Sequence, residues 1–180
     1  SSASIAAALD VIESEFGVAS IVINNAGITI PKLLLDLSDE DWENVVDTNL
    51  KGVAFVTREA AKRMIAADVG GSVINIASIL AVRVQSMLSN YAAAKAGVVQ
   101  FTKTAALELA PYNIRVNAIS PGGVFRNQPE SFVQRYERKN PLGRMATEDD
   151  FRGVVAYLAS DLSKYVTGQN LHVDGGWGVW

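Results

Sequence analysis

The chain has 180 residues, 49% of them apolar and 19% charged, a balance that supports one buried core in a single domain. A net charge of −3 with no run of lysine or arginine argues against a nucleic-acid surface, and no apolar stretch reaches the roughly 18 residues of a membrane-spanning helix. With no cysteine and one histidine, His172, there is no basis for a disulfide, a zinc site or a Ser-His-Asp triad, and the composition suits a reducing, cytoplasmic setting.

In chain order, residues 4–16 read as an amphipathic helix stopped by Gly17, and residues 19–24 as a short β-branched strand covered on both faces. Ser38 followed by Asp39, Glu40 and Asp41 is a helix N-cap with an acidic first turn. The helix it opens is expected to run to about Ala67, with Trp42, Val45, Val46, Leu50 and Val53 on one face. Gly70-Gly71 turns the chain into a strand over 72–77, and a long helix over 89–110 ends near Pro111. A third strand, 114–119, leads into Ser120-Pro121-Gly122-Gly123. Residues 124–145 read as polar and irregular, with Pro129 and Pro141; Thr147 with Asp150 caps a helix through Ser160, and 170–173 form the last strand. Strands separated by helices imply an α/β fold, a mainly parallel sheet with helices on both faces.

Tyr91 and Lys95 lie four residues apart, one helical turn, so phenol and ammonium share a face. A cation beside a tyrosine favours the phenolate and is expected to lower the Tyr91 pKa. Ser78 lies thirteen residues upstream, at the end of an apolar stretch. Ligands of open α/β sheets bind beyond the carboxyl ends of the strands. Asn24-Asn25-Ala26-Gly27, Ser78 and Pro121-Gly122 all fall there. Each also has an ordinary reading: a surface helix pair for Tyr91 and Lys95, a strand end for Ser78, turn residues for Asn24 and Asn25, a helix asparagine bonding a neighbouring carbonyl for Asn49. Arg83, Arg126 and Arg135 read as solvated, and Trp177 and Trp180 as interface or core aromatics. A Ser-Lys hydrolase is set aside because Gly-x-Ser-x-Gly is absent.

Taken together, the chain resembles the short-chain dehydrogenase/reductase family. The matching pieces are Asn24-Asn-Ala-Gly27, Asn49 in Asp47-Thr-Asn-Leu-Lys-Gly52, Ser78, Tyr91-x-x-x-Lys95, Arg115-Val-Asn-Ala-Ile-Ser-Pro-Gly122 and Val173-Asp-Gly-Gly176. The resemblance implies a Rossmann-like sheet and carbonyl–alcohol interconversion with NAD or NADP. It makes Tyr91 the proton donor, Ser78 the partner of the carbonyl oxygen, Lys95 the group that tunes Tyr91 and holds the ribose, and Asn49 the holder of a relay water. Asn25, Ala26 and Gly27 would line the cofactor groove, and Pro121, Gly122 and Val124 would flank the nicotinamide, with Tyr91 and Lys95 completing the set; no metal is implied.

Two departures from the family stand out. The glycine-rich turn that holds the pyrophosphate does not precede Asn24, so residues 1–180 are expected to form one partial Rossmann domain, the catalytic half. That leaves a truncated chain, one whose first half precedes these 180 residues, or a fragment completed by another polypeptide. The strand at 19–24 would then be a bare apolar edge. Second, Arg126 stands where the family often has the threonine that bonds the carboxamide. The segments 79–89 and 124–145 are expected to form the substrate pocket. The run Arg126-Asn127-Gln128 favours a sugar, sugar acid or polyol, with a 3-oxoacyl thioester as the alternative substrate. A non-catalytic assembly or binding module that cannot hold the dinucleotide is the alternative function. A homodimer or homotetramer through the two long helices is also implied.

Overall fold

The computed structural model describes residues 1–179. Four parallel strands, β1 (Ile21–Asn24), β2 (Gly71–Ile76), β3 (Ile114–Pro121) and β4 (Asn170–Val173), pair in sequence order. Ile23 pairs with Ile74, Ile74 with Asn117, and Ile119 with Leu171. The helices are α1 (Ser2–Phe16), α2 (Asp39–Val46), α3 (Gly52–Ala66), α4 (Ser89–Leu109), α5 (Glu130–Glu137) and α6 (Arg152–Ala159). Among the described residues no helix is long and apolar enough to cross a membrane.

Alternation along the strands sorts the core into two layers. Val73 and Val116 face Ala60, Ala61 and Met64 of α3 and Ala105 and Ala106 of α4, while Ile74 and Ile119 face Leu158 of α6. Small residues on α3 and α4 let both helices lie close to the sheet. β2 and β3 are therefore covered on both faces, and most of their positions are buried, the polar Ser72, Asn75, Asn117 and Ser120 included.

Four details depart from the sequence expectations. The helix over 39–67 is interrupted by a wider π turn at Asp47–Lys51, with Asn49 fully buried inside it. Val45 and Val53 are buried as expected, but Trp42 remains 39% exposed. The stretch 124–145 contains α5, because Phe132, Val133 and Tyr136 form an inward stripe between its prolines. The helix capped by Thr147 begins as a 3-10 turn over Glu148–Phe151.

β1 sits at the edge of the sheet. Val22 packs against the α3–α4 layer, whereas Ile21 and Ile23, on the opposite face, are 48% and 45% exposed. Coverage on both faces, expected for this strand, holds on the Val22 face alone, and the expected bare apolar edge is present.

Candidate active site

The carboxyl ends of β1, β2 and β3 open on one rim, and the sequence-derived residues collect there. A buried chain of amides sets this rim. The Asn24 side chain at the end of β1 donates to Asn75 Oδ1 at 2.8 Å and to Thr57 of α3 at 3.0 Å. Asn75 in turn donates to Thr102 of α4 at 2.9 Å. These bonds fix both helices to the strand ends, and among the described residues Ser89 Oγ is the one buried side-chain polar atom left without a partner. Asn75 and Thr102 were not singled out from the sequence; an asparagine amid the apolar run of β2 was their only signal.

Beyond β1 the backbone of Asn25, Ala26 and Gly27 is exposed. The π turn aims Asn49 back at the next residue: its Oδ1 accepts from the Ile28 N–H at 2.8 Å and its Nδ2 donates to the Ile28 carbonyl at 2.8 Å. The side chain thus holds the loop after β1, with one amide proton and one carbonyl lone pair left for a water. A Cβ at position 27 would lie 3.3 Å from Asn49 Oδ1 and 3.6 Å from Lys95 Nζ. Glycine there keeps open a space that both polar groups face.

Lys95, on α4, is 3% exposed, and its Nζ donates to the Ile76 carbonyl at 2.6 Å, where β2 ends. Burial in this wall pulls its pKa down to about 8. Tyr91 lies one turn earlier, with Lys95 Nζ 5.7 Å from its ring centroid, so the two share a face as their spacing predicts. The pKa expectation for Tyr91 is corrected: burial pushes the phenol above its usual value, and the Ser78 hydroxyl beside it pulls back only in part. Desolvation outweighs the Ser78 contact, and the Lys95 ammonium is bonded to the Ile76 carbonyl rather than to the phenol. Ser78 is buried and its Oγ accepts from the Leu80 N–H at 3.1 Å, which leaves its own proton to donate. The start of α4 is anchored where Asn90 Oδ1 accepts from the Tyr91 N–H at 2.8 Å and Asn90 Nδ2 reaches the Asp41 carbonyl at 3.4 Å.

At the end of β3 and just beyond it, Pro121, Gly122 and Val124 are half-buried. Gly123 donates its N–H to Tyr136 Oη at 2.6 Å. Next to Gly122 and Gly123 lies a cleft of about 120 Å³ whose polar lining comes from Asn140, Arg144, Asp150 and Asp174. Arg144 and Asp150 are bonded to each other there at 2.7 Å.

The polar run after Val124 is occupied with itself. Gln128 Nε2 donates to the Val124 carbonyl at 2.8 Å, Gln128 Oε1 accepts from the Arg126 N–H at 2.6 Å, and the Arg126 guanidinium pairs with Glu148 at 3.0 Å. Arg135 is exposed, as expected, whereas Arg83 is half-buried and donates to the Gly178 carbonyl. Trp177 packs face to face with Tyr136, and Trp180 lies outside the described residues.

A family profile described as "Enoyl-(Acyl carrier protein) reductase" matches residues 1–178. The 3-oxoacyl-(acyl-carrier-protein) reductase of Staphylococcus aureus strain Mu50 is 39% identical over 167 residues, covering 91% of this chain and 68% of the relative. The enzyme of that name from Thermotoga maritima is 41% identical over 166 residues, 90% of this chain and 67% of the relative. Among solved structures, a short-chain dehydrogenase from Leptospira borgpetersenii with bound NAD+ superposes with a TM-score of 0.95 at 39% identity, over 99% of this chain and 72% of that one. A gluconate 5-dehydrogenase from Burkholderia cenocepacia, in complex with NADP and tartrate, gives 0.96 at 32% identity, over 100% and 72%.

Proposed function

The chain belongs to the short-chain dehydrogenase/reductase family, and on that premise we propose that it carries the catalytic half of an NAD(P)-dependent oxidoreductase interconverting a carbonyl and a secondary alcohol. The observation that carries this reading is the convergence of the Ser78 hydroxyl, the Tyr91 phenol and the buried Lys95 ammonium on a rim left open by Gly27. The nicotinamide and its ribose suit these residues: Lys95 has protons beyond the one given to Ile76, and Asn25, Ala26 and Gly27 offer exposed backbone beside it. Pro121, Gly122 and Val124 would flank the ring from the other side. When bound, the cofactor supplies the hydride.

In the direction of reduction, the substrate oxygen accepts from the Ser78 hydroxyl, whose position is fixed by its bond from Leu80. Tyr91 donates its phenolic proton to the same oxygen as charge develops there. Its raised pKa keeps that proton in place at neutral pH, which suits an acid. Lys95 stabilises the phenolate that results, and the free amide proton and lone pair of Asn49 suit a water that returns the proton.

For the substrate we favour a 3-oxoacyl thioester. The polar groups that suggested a sugar, Arg126 and Gln128, are consumed within their own loop, while Val84 and Met87 beside Ser78 and Phe125 beyond Gly123 stand exposed. A sugar acid is the second reading, supported by the 0.96 superposition on the gluconate 5-dehydrogenase. We further propose a homodimer or homotetramer built on the outer faces of α2–α3 and α4, where Trp42 and Leu107 are exposed, with Tyr112 exposed in the turn just past α4.

The test is turnover by the intact protein with NADH and NADPH against a panel of 3-oxoacyl thioesters, keto sugar acids and polyols. Tyr91→Phe is expected to lower kcat by roughly 100-fold or more. Full turnover in that variant would overturn the mechanism, and no dinucleotide binding would favour the assembly-module alternative.

A further inference from the structure

We infer that Tyr136 and Trp177 are a positioning pair for this reaction, through which the tail after β4 sets the loop that follows β3. The inference rests on the dehydrogenase reading above; neither side chain touches Ser78, Tyr91 or Lys95.

Tyr136 is 7% exposed although it projects from α5, an element bordered by exposed residues. Its Oη accepts the Gly123 N–H at 2.6 Å. The loop backbone lies flat on its ring, since a Cβ at Gly123 would come within 2.6 Å of Tyr136 Cε2. One side chain therefore fixes both the height and the direction of the Pro121–Val124 turn. The indole of Trp177 covers the ring, centroids 4.2 Å apart and planes 8° from parallel, and Phe132 packs against it at 6.5 Å. Stacking in this geometry restricts the phenol to one orientation.

The tail that delivers Trp177 is itself tightly held. Asp174 is buried and accepts from the Gly176 N–H at 2.9 Å and the Gly178 N–H at 2.8 Å, folding the tail back on itself. Asn140, just past α5, donates to the Asp174 carbonyl at 3.2 Å. On the other side, Arg83 from the segment after Ser78 donates to the Gly178 carbonyl. The tail thus bridges the two segments that border the opening, one following Ser78 and one following Gly123. Hydride transfer requires the loop between β3 and α5 to be held closely, because displacements near 1 Å cost on the order of 100-fold.

The experiment compares Tyr136→Phe, Trp177→Phe and Trp177→Ala in the intact protein, with Tyr91→Phe alongside. It reads kcat, both KM values and the primary isotope effect with 4-deuterated nicotinamide. Tyr136→Phe keeps the stack and loses the acceptor for Gly123; kcat should fall about tenfold and the isotope effect rise, as transfer becomes rate-limiting. Trp177→Ala should do the same with a raised dinucleotide KM, and Trp177→Phe should recover most of the loss. The alkaline limb of the pH profile set by Tyr91 should not move. A merely structural role would lower Tm and the active fraction while leaving KM and the isotope effect at parental values, and that result overturns the inference. So does a Tyr136→Phe enzyme within twofold of the parent. Should Trp177→Ala fail to fold, the two phenylalanine variants decide alone. If the parent shows no nicotinamide-dependent turnover, the dehydrogenase reading has failed, and if Tyr91→Phe retains full turnover, the Tyr91 mechanism has; if Tyr91→Phe is inactive while Tyr136→Phe is normal, only the positioning role has.

Discussion

At Lys95 burial and charge work against each other, and the sign of the result is testable. Its pKa falls from 10.5 to about 8 on folding because the ammonium enters a wall with one carbonyl partner. Between these values the unfolded chain holds a proton that the folded chain has released, so stability should rise with pH through that window. Holding the charge below pH 8 costs the fold about 3 kcal/mol. Tyr91, shifted upward, acts in the opposite sense only above pH 10. Urea unfolding followed from pH 8 to 10 should show the rise, and Lys95→Met should remove it; equal slopes for both proteins would show that Lys95 is not held at this cost. The spacing of Ser78, Tyr91 and Lys95 was legible in the sequence because a helix turn and a strand end fix it. The direction of the Tyr91 shift was not, since it depends on how far the fold buries the phenol. The role of Tyr136 was equally hidden, because its partner Gly123 is thirteen residues away.

Elements were legible where local chemistry decides them. The capping boxes at Ser38 and Thr147 and the apolar runs of β2 and β3 are set by neighbouring residues, and their positions agree to within a residue or two. The π turn at Asp47–Lys51 is different. Nothing in Asp-Thr-Asn-Leu-Lys forbids a regular helix; the widening aims Asn49 at Ile28 and brings Leu50 against Gly97 of α4, where a Cβ would meet Leu50 Cδ2 at 2.8 Å. It is a tertiary decision, and π turns of this kind concentrate at functional sites. Asn49→Ala should leave the part-buried Ile28 N–H and carbonyl without partners and lower stability by about 2 kcal/mol. Chemical denaturation would read this directly, and amide exchange should show faster opening over residues 25–28. An unchanged midpoint would mean the loop after β1 is held by other contacts.

For the whole molecule the decisive feature is the open side of β1. α6 covers Ile74 and Ile119 but reaches no further, so Ile21 and Ile23 present an apolar stripe next to unpaired backbone groups. A short strand with this face is a template for one more parallel strand and a helix over it. The relatives, of which this chain covers 68% and 67%, are long enough to include both. The 180-residue chain studied alone should therefore self-associate through β1, separately from any pairing through α3 and α4. Ile23→Lys places a charge in the stripe without touching the α3–α4 layer, because its side chain points to the opposite face. Sedimentation velocity should show the association of the 180-residue chain weakened by that change, while Leu107→Lys, on the outer face of α4, leaves it in place. In a protein where a further strand covers β1, Ile23→Lys should instead lower Tm and dinucleotide affinity together, since the buried ammonium would have no partner. Association that survives Ile23→Lys but not Leu107→Lys would locate the contact on α4 and leave the β1 edge without a role in assembly.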